Sequence, residues 1–323
     1  MNSDIPQALR SLKHFLAIRD VDADVLKTLI DFSIRRKSEF KQGKFKPMWQ
    51  GKVLAMIFQK ASLRTRLGFE AAMVQLGGHA VNLDDQQVGI TRREDVRDVA
   101  RVISSMCDLI MARVFGHQLV VELSAFSSVP VVNGLSDWAH PCQALADLMT
   151  IKERFGELHG RKLAYIGDAN NVARSLLNGC LKTGMRFVIA APEGYRLDRG
   201  QVESAQMMAA KSGASFAETN QPAEAVKDAD AVYTDVWTSM GQEAEAEQRA
   251  EDFTGFQINA ELMKAAQPTA VVMHCLPAHR GDEITSDVLD GSQSIVFQQA
   301  ENRLHSQRAL LEVLLTNAAD AKR

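Results

Sequence analysis

Short apolar runs alternate with amphipathic stretches along the whole chain. Each run is rich in Val, Ile, Leu and Ala and is bounded by polar residues, which is typical of strands buried on both faces of a parallel sheet. The predicted strands are 52–58, 80–83, 109–113 and 129–133, followed by 162–166, 187–191, 231–234 and 270–274. This alternation predicts an α/β protein in which parallel β-sheets are flanked by helices.

Helical patterns are clearest in three segments. Residues 63–76 are amphipathic and end at Gly77-Gly78, residues 141–155 have a proline in their first turn, and residues 303–315 have no strand after them. The middle segment lies between the two groups of strands. We therefore expect a hinge near residues 135–155.

The length also predicts two domains. A chain of 323 residues exceeds what one hydrophobic core usually serves. We predict a first domain over residues 1–140 and a second over residues 141–302, joined by interdomain helices. The last helix, 303–323, is expected to pack back on the first domain, although spacing alone does not require it.

Composition and charge exclude several classes of partner. Hydrophobic residues make up 46% and charged residues 24%, and the net charge is −3 with no basic tract for a nucleic acid. The polar N-terminus lacks the apolar core of a signal peptide, and no apolar run reaches membrane-spanning length. Cys107, Cys142, Cys180 and Cys275 lack metal-type spacing, which favours reduced thiols. We expect a cytoplasmic protein that binds neither nucleic acid nor membrane.

The segment Ser62-Leu63-Arg64-Thr65-Arg66 lies between a predicted strand and a predicted helix. Free backbone N–H groups at a helix N-terminus bind anions, and nearby hydroxyl and guanidinium groups add donors suited to phosphate. The same residues also fit an ordinary helix cap, with Ser62 as the N-cap and the arginines in solvent. From this segment alone, the two interpretations are equally good.

His140-Pro141-Cys142-Gln143 opens the helix at the predicted domain junction. A histidine before a helix is more often a cap or a packed polar residue than a catalytic group. Ligand sites of α/β proteins concentrate at such junctions, however, and a neutral His140 with Gln143 beside it suits donation to a developing oxyanion. This segment alone leaves both interpretations open.

Gly167-Asp168-Ala169-Asn170-Asn171 follows a predicted strand, where a dinucleotide-binding fold would carry G-x-G-x-x-G. The second and third glycines of that pattern are absent, which argues against an NAD or FAD enzyme. The two asparagines suit either a small polar ligand or simple Asx turns.

The segment 234–241 (TDVWTSMG) also leaves a predicted strand. Asp235 at the carboxyl end of that strand suits an ammonium group, and Ser239 with the backbone N–H groups after it suits a carboxylate. Together they describe a clamp for an amino acid. A capped loop with Trp237 as a packing anchor is the alternative.

His274-Cys275-Leu276-Pro277 ends the last predicted strand. A buried cysteine most often packs as a small hydrophobic residue, and a nucleophilic one needs a paired base. Adjacent strand residues point to opposite faces, so His274 is a poor base for Cys275, which is better explained as a substrate contact.

Glu301-Asn302-Arg303, expected to precede the last helix, indicates no chemistry by itself, because an isolated arginine is usually a solvated surface charge.

Taken in order, these segments resemble the aspartate/ornithine carbamoyltransferase family. The resemblance covers nearly the whole chain and rests on SLRTR, LGGH at 76–79, Ala112-Arg113, HPCQALADL, GDANN, DVWTSMGQE, HCLPAHRGDE and AENR. SxRTR and HPCQ are typical of the whole family, whereas DVWTSMG and HCLP favour ornithine over aspartate as the substrate. The full ordered set is far more specific than any one motif.

The resemblance implies transfer of the carbamoyl group of carbamoyl phosphate to the δ-amine of L-ornithine, giving citrulline and phosphate in arginine metabolism. It implies no cofactor, no metal and no protein nucleophile. The neutral δ-amine attacks, so activity should rise toward alkaline pH because such an amine has a pKa of about 10.4. Carbamoyl phosphate should bind first, and domain closure on ornithine should exclude water.

The resemblance also implies a role for each site residue, with carbamoyl phosphate on the first domain and ornithine on the second. The expected carbamoyl phosphate contacts are Ser62, Leu63, Arg64, Thr65, Arg113, His140, Gln143, Cys275, Leu276 and Arg303, among which Arg113, His140, Cys275 and Arg303 are expected to be catalytic. The expected ornithine contacts are Asn171, Asp235, Ser239 and Met240. His79 is expected to reach the phosphate from a neighbouring subunit, so that a homotrimer shares its active sites; further assembly of trimers is left open.

Two alternatives and two departures accompany this interpretation. An enzyme for putrescine or an acylated ornithine is disfavoured, because Asp235 with Ser239-Met240 fits an α-ammonium and an α-carboxylate. An inactive relative is disfavoured, because the set of site residues is complete. The family commonly has Thr and Glu where this chain has Leu63 and Gln59. Leu63 keeps its backbone N–H, so the phosphate site should survive.

Overall fold

The computed structural model describes residues 4–90, 92–238 and 243–321. The chain forms two compact units. The first comprises Met1–Met149 and Glu301–Arg323, and the second comprises Thr150–Ala300. No helix within the described ranges is both long enough and apolar enough to span a lipid bilayer.

The first unit is built on a four-stranded parallel sheet. Its strands are β1 (Val53–Phe58), β2 (His79–Asp84), β3 (Leu109–Arg113) and β4 (Val131–Leu135). They are ordered β2-β1-β3-β4. Every residue of β3 is buried, as expected for an inner strand covered on both faces.

In the described part of the chain, six helices lie in this unit or begin in it. They are α1 (Ala23–Lys41), α2 (Leu63–Leu76), α3 (Asp85–Val88), α4 (Val96–Met106), α5 (His117–Phe126) and α6 (Pro141–Phe155), with 3₁₀ turns at Gln7–Ser11 and Ile18–Asp20. Ile57 and Ile110 of the sheet pack in one apolar cluster with Ile103 of α4 and Leu123 of α5. Burying a side chain of this kind contributes about 1.5–3 kcal/mol. The helix α6 continues into the second unit.

The second unit is built on a five-stranded parallel sheet. Its strands are β5 (Lys162–Ile166), β6 (Arg186–Ala190), β7 (Ser215–Thr219), β8 (Ala231–Thr234) and β9 (Val271–His274), in the order β7-β6-β5-β8-β9. Its helices are α7 (Asn171–Thr183), α8 (Arg199–Ser212), α9 (Pro222–Val226), α10 (Ala246–Asp252), α11 (Ala260–Met263) and α12 (Ser286–Leu289), with a 3₁₀ turn at Glu243–Glu245. The last helix, α13 (Val296–Asp320), begins in this unit and continues in the first.

Each sheet has one point where the strand order reverses. In the first sheet, β1 and β3 are neighbours although β2 lies between them in sequence, and in the second the same holds for β5 and β8. Loops at the carboxyl ends of such neighbouring strands leave in opposite directions and open a crevice, which is where open α/β sheets bind ligands. The loops after these four strands are therefore the places where the fold favours ligand binding.

The predicted α/β architecture with two parallel sheets is confirmed, and three details of the prediction were wrong. The strand β7 was missed, because Ser215–Thr219 is a partly exposed edge strand whose polar residues hide the apolar pattern. The strand predicted at 129–133 lies at Val131–Leu135. The last helix begins at Val296, so Arg303 lies within it and does not precede it.

Candidate functional site

A first group of polar residues gathers around the carboxyl ends of β1 and β3. Ser62 caps α2, its hydroxyl accepting a hydrogen bond from the backbone N–H of Thr65 at 3.3 Å. Arg113 is the last residue of β3. The helix cap that was one interpretation of Ser62 is therefore present, and it starts the helix that carries Arg64 and Thr65.

Hydrogen bonds connect four segments that are far apart in sequence. Arg303 on α13 donates from Nη2 to Thr65 Oγ1 at 2.8 Å and from Nη1 to Gln143 Oε1 at 3.0 Å. Arg113 Nη1 approaches the same Thr65 oxygen at 3.4 Å. Gln143 Nε2 in turn donates to Asp147 Oδ1 at 2.8 Å, which fixes the amide with its oxygen toward Arg303. We call Arg64, Thr65, Arg113, His140, Gln143 and Arg303 the cationic cluster.

His140 is buried in this cluster with its pKa far below the ordinary value. Burial lowers the pKa of the imidazole most, and the positive charges of Arg303, Arg113 and Arg64 lower it further. The ring is therefore neutral at physiological pH. Three guanidinium groups beside a neutral imidazole form a site that favours an anion and offers several N–H donors to its oxygens.

The depressed pKa of His140 predicts a pH dependence of stability. Because the folded pKa lies below 6.5, the unfolded chain takes up a proton at a pH at which the folded chain does not. The stability from the neutral ring is complete above about pH 6.5 and is lost as the pH falls. In His140→Gln, the free energy of unfolding should fall less steeply below that pH, by up to about 1.4 kcal/mol per pH unit. Denaturant unfolding of both proteins from pH 5 to 8 measures the difference, and parallel curves would contradict the prediction.

Gln59 binds the chain at Arg113 and again two residues later, at Phe115. Its backbone N–H donates to the Arg113 carbonyl at 2.9 Å, and its side-chain Oε1 accepts from the Phe115 N–H at 2.9 Å. A carboxylate at position 59 would accept the latter bond equally well but would bring a negative charge next to Arg113. The neutral amide thus supports the backbone around Arg113 without offsetting the cationic cluster. The sequence had indicated no role for it.

The predicted contacts Leu63 and His79 both have exposed side chains. The Leu63 side chain is exposed, so only its backbone in the first turn of α2 is suited to an anion. His79 is the first residue of β2 and pairs with Val53, the first residue of β1. It therefore lies at the amino end of the sheet, opposite the end that carries Arg113, and it is exposed. Its role from a neighbouring subunit stays a prediction.

A second group of polar residues lies at the carboxyl ends of β5, β8 and β9. The carboxylate of Asp235 accepts a hydrogen bond from the Cys275 thiol at 2.8 Å, another from the Asn170 side-chain amide at 2.9 Å, and a third from the Val236 N–H at 2.8 Å. Asp235 is buried. We call Asp235, Asn170 and Cys275 the Asp235 cluster; a buried carboxylate facing donors suits a cationic or strongly donating ligand group.

The structure gives the two asparagines different positions. Asn170 is the N-cap of α7, and its Oδ1 accepts from the N–H groups of Val172 and Ala173. Its amide nitrogen is thereby directed to Asp235. Asn171, the predicted ligand contact, is the first residue of the helix. The predicted contacts Ser239 and Met240 lie outside the described residues.

The His274 ring is engaged by residues other than Cys275. Its Nε2 lies 3.0 Å from Glu283 Oε1, and its Nδ1 accepts from the Leu276 N–H at 2.8 Å. Asp235, His274 and Cys275 place possible metal-ligand atoms within 4.8 Å of one another. Both ring nitrogens already have hydrogen-bond partners, however, and the thiol donates to Asp235. The geometry favours a substrate pocket over a metal site or a cysteine–histidine nucleophile.

Arg249 connects the loops that follow β5 and β8. From α10, its Nη1 donates to Asp168 Oδ2 and to the Trp237 carbonyl, both at 2.9 Å, and its Nε donates to Glu245 Oε2 at 2.9 Å. The guanidinium also lies over the Tyr195 ring, 4.9 Å from its centroid. This buried arginine fixes the loops that carry Asn170 and Asp235. Nothing in its polar sequence surroundings signalled that role.

Two protein-family models match consecutive parts of the chain. The one described as "Aspartate/ornithine carbamoyltransferase, carbamoyl-P binding domain" matches residues 13–153. The one described as "Aspartate/ornithine carbamoyltransferase, Asp/Orn binding domain" matches residues 159–314. The first match contains all of the cationic cluster except Arg303, and the second contains the Asp235 cluster.

Full-length relatives agree with these matches. The chain is 50% identical over 303 residues to the ornithine carbamoyltransferase of Pyrococcus abyssi, covering 94% of this chain and 96% of that protein. It is 49% identical over 310 residues to that of Bacillus subtilis, covering 96% of each. It is also similar to the solved structure of ornithine carbamoyltransferase from Pyrococcus furiosus, with a TM-score of 0.91 and 50% identity over 94% of this chain and 97% of that one.

Proposed function

Since this chain belongs to the aspartate/ornithine carbamoyltransferase family, we propose that it transfers the carbamoyl group of carbamoyl phosphate to the δ-amine of L-ornithine. The products are L-citrulline and phosphate, which places the reaction in arginine metabolism. The observation that carries the proposal is the meeting of Arg303, Thr65 and Arg113, with Gln143 and a neutral His140 beside them. This cluster has the charge and the donors that the leaving phosphate requires.

The cationic cluster has two tasks in the proposed reaction. Arg64 and the N-terminal turn of α2, capped by Ser62, bind the phosphate oxygens. Arg113 and Arg303 offset the negative charge that grows as the phosphate leaves. His140, being neutral, donates a hydrogen bond to the carbamoyl oxygen as the tetrahedral intermediate forms. Because these donors are held by packing before the substrate arrives, little reorganisation is needed during the reaction.

The Asp235 cluster binds the amino-acid substrate. Asp235 accepts from the α-ammonium of ornithine, while Ser239 and Met240 bind its α-carboxylate and Asn171 adds a polar contact. Cys275 and the Leu276 carbonyl lie at the carbamoyl group. The attacking species is the neutral δ-amine, so kcat/KM for ornithine should rise with pH toward the amine pKa of about 10.4.

The activity test compares acceptors. Citrulline formation from carbamoyl phosphate is measured with ornithine, and carbamoylation is measured with putrescine and N-acetylornithine at matched concentrations. We expect turnover with ornithine alone, because only ornithine carries both a free α-ammonium and an α-carboxylate. Preference for another acceptor would contradict the role of Asp235, and the lack of turnover with all three would contradict the enzymatic proposal.

The substitution Arg249→Gln is expected to raise the KM for ornithine about tenfold, because hydrogen bonds to a charged group contribute about 1.5–3 kcal/mol. The variant keeps a donor but cannot reach Asp168, Trp237 and Glu245 together. Arg199→Gln is the matched control, since Arg199 lies in the same unit but is exposed and pairs along its own helix with Glu203. Steady-state kinetics measures both variants, and an unchanged KM for ornithine in Arg249→Gln would contradict the prediction.

We also propose a homotrimer in which His79 completes the phosphate site of a neighbouring subunit. Leu63, Leu67 and Val74 form an apolar stripe on α2 and are 73%, 62% and 59% exposed, and Val81 of the edge strand β2 adds to the exposed apolar surface. Patches of this kind mark protein contacts. His79 is exposed on the same edge strand, as a residue serving another subunit must be.

Subunit mixing tests this assembly. Arg303→Ala and His79→Ala trimers are purified, unfolded together and refolded. Some sites in the mixed trimers then combine an intact cationic cluster with an intact His79 from a neighbour, so activity should exceed that of either variant refolded alone. No recovery, with trimers verified by sedimentation, would contradict a shared site. A cytoplasmic location is part of the proposal, and cell fractionation tests it.

A further inference from the structure

Leu276 has a backbone conformation that large residues rarely adopt. Its φ is 55°, and among the described residues only Asp228 is also a non-glycine with positive φ. A branched side chain in this region is strained, and such strain persists only where the surrounding structure imposes it. Leu276 directly follows Cys275, whose thiol contacts Asp235. The strain therefore lies next to the Asp235 cluster.

His274 holds Leu276 in this conformation. The Leu276 N–H donates to His274 Nδ1 at 2.8 Å, which closes a tight turn over Cys275. Because Nδ1 accepts this bond, the proton of the neutral ring is on Nε2, where it is donated to Glu283 Oε1 at 3.0 Å. The His274 side chain is fully buried, so packing and two hydrogen bonds fix both its orientation and its tautomer.

Glu283 binds both His274 and the backbone at His279. Its Oε1 also accepts from the His279 N–H at 2.6 Å, so one carboxylate oxygen holds both the ring at position 274 and the backbone at position 279. Its Oε2 is buried without a hydrogen-bond partner among the described residues. A half-satisfied buried carboxylate destabilises a fold. Stability therefore does not explain why the Glu283 carboxylate is buried here.

We propose that His274 and Glu283 are positioning residues for carbamoyl transfer. Glu283 orients a neutral His274, which holds the Leu276 N–H and so sets the Cys275 thiol and the Leu276 carbonyl against the substrate. Neither residue touches the substrate or accepts its proton. The inference rests on the proposed function, which places Cys275 and Leu276 at the carbamoyl group.

Two substitutions of His274 separate positioning from other roles. His274→Leu removes the acceptor, and kcat should fall about a hundredfold, the loss typical of a reacting group misplaced by about 1 Å. His274→Asn supplies a side-chain oxygen that accepts from the N–H two residues on, as in an Asx turn, and should recover about tenfold of that loss. His159→Asn is the matched control, because this histidine of the same unit is exposed and lies before β5, outside the segment 274–283.

Two further readouts distinguish positioning from proton transfer and from general damage. The pH profile of His274→Asn should keep the shape of the parent profile, because the proposed role of His274 includes no proton transfer. Binding of inorganic phosphate, measured by calorimetry, should be unchanged in both His274 variants, because the phosphate contacts lie in the other unit. A loss of one limb of the pH profile would overturn the proposal, as would equal losses of kcat in the two variants.

Amide hydrogen exchange tests the same inference without turnover. The Leu276 and His279 amides should exchange slowly in the parent, and His274→Leu should lose protection at Leu276. Fast exchange at Leu276 in the parent would overturn the proposal even if the protein had no carbamoyltransferase activity, which separates its failure from that of the proposed function. If His274→Leu does not fold, Glu283→Gln replaces it. A kcat equal to that of the parent in Glu283→Gln would then overturn the inference.

Discussion

Replacing Arg303 with alanine is expected to lower kcat/KM for carbamoyl phosphate about a thousandfold, the upper part of the range for removing one preorganised donor from an oxyanion site. Arg303 is 3% exposed and holds both Thr65 and Gln143 through its two Nη atoms. The alanine variant removes a charge, two donors and the link between α2 and α13. Arg303→Lys should not restore the activity, since an ammonium group cannot reproduce the planar fork of a guanidinium.

The matched control for Arg303 is Arg66→Ala. Arg66 belongs to the same SLRTR motif, but its side chain is 57% exposed and its charge faces Glu70 at 3.8 Å on the same helix. Exposed pairs of this type contribute at most about 1 kcal/mol, so this variant should keep the parent kinetics. Steady-state kinetics and phosphate calorimetry on both variants measure the contrast. Equal activity of Arg303→Ala and Arg66→Ala would contradict the role of the cationic cluster.

The substitution Asp235→Asn is expected to raise the KM for ornithine about a hundredfold, because hydrogen bonds to a charged group contribute up to about 3 kcal/mol. The change removes the negative charge and puts an N–H₂ group among the donors of Cys275, Val236 and Asn170. Binding of phosphate to the other unit should not change. The preference for ornithine over putrescine should also shrink, because putrescine has no α-ammonium group and therefore loses no contact with Asp235.

The control for Asp235 is Asp290→Asn in the same unit. Asp290 is exposed and pairs with Arg280 through both carboxylate oxygens, which holds the pKa of Asp290 below its usual value. This pair lies outside the Asp235 cluster, so the variant should keep the parent KM for ornithine. Acceptor kinetics with ornithine and putrescine measure both variants. An unchanged acceptor preference in Asp235→Asn would contradict the amino-acid clamp.

Cysteine chemistry gives an independent check on the proposed mechanism. Cys142 is buried on α6, its thiol donates to the Asn133 carbonyl at 3.4 Å, and burial raises the pKa of this thiol to about 12. Cys275 donates to Asp235. A thiol that donates to a carboxylate is not a thiolate nucleophile. Both contacts agree with direct attack by the amine of the substrate.

Local sequence signals identified the family and most of the elements around the site. The ordered motifs predicted the aspartate/ornithine carbamoyltransferase family, and both family models confirm it. Alternating apolar segments predicted the two parallel sheets, since burial on both faces leaves continuous apolar runs. The Gly77 stop of α2 was also predicted correctly, and the Ser62 cap is present as one of the two interpretations of its segment allowed, because capping depends on a few neighbouring residues.

Local signals were misleading where tertiary contacts outweigh them. The strand Ser215–Thr219 forms by pairing with β6 along its whole length, although its own sequence is largely polar. From its local sequence alone, Arg303 was expected to be a solvated charge, whereas the family resemblance implied a catalytic role. It is buried because Thr65 and Gln143 accept its hydrogen bonds, and neither partner is near it in sequence.

By itself, the sequence determined the fold class, the family and the residues with suitable chemistry, because periodicity, capping and motif order are written in neighbouring positions. Only the tertiary structure decided which of those residues meet. Arg303 and Thr65 are 238 residues apart, and their contact depends on how α13 packs against α2. Gln59, Arg249 and the His274–Glu283 pair likewise acquire their positions through packing. A hydrogen bond between distant residues leaves no local pattern, since its geometry is set by the whole core.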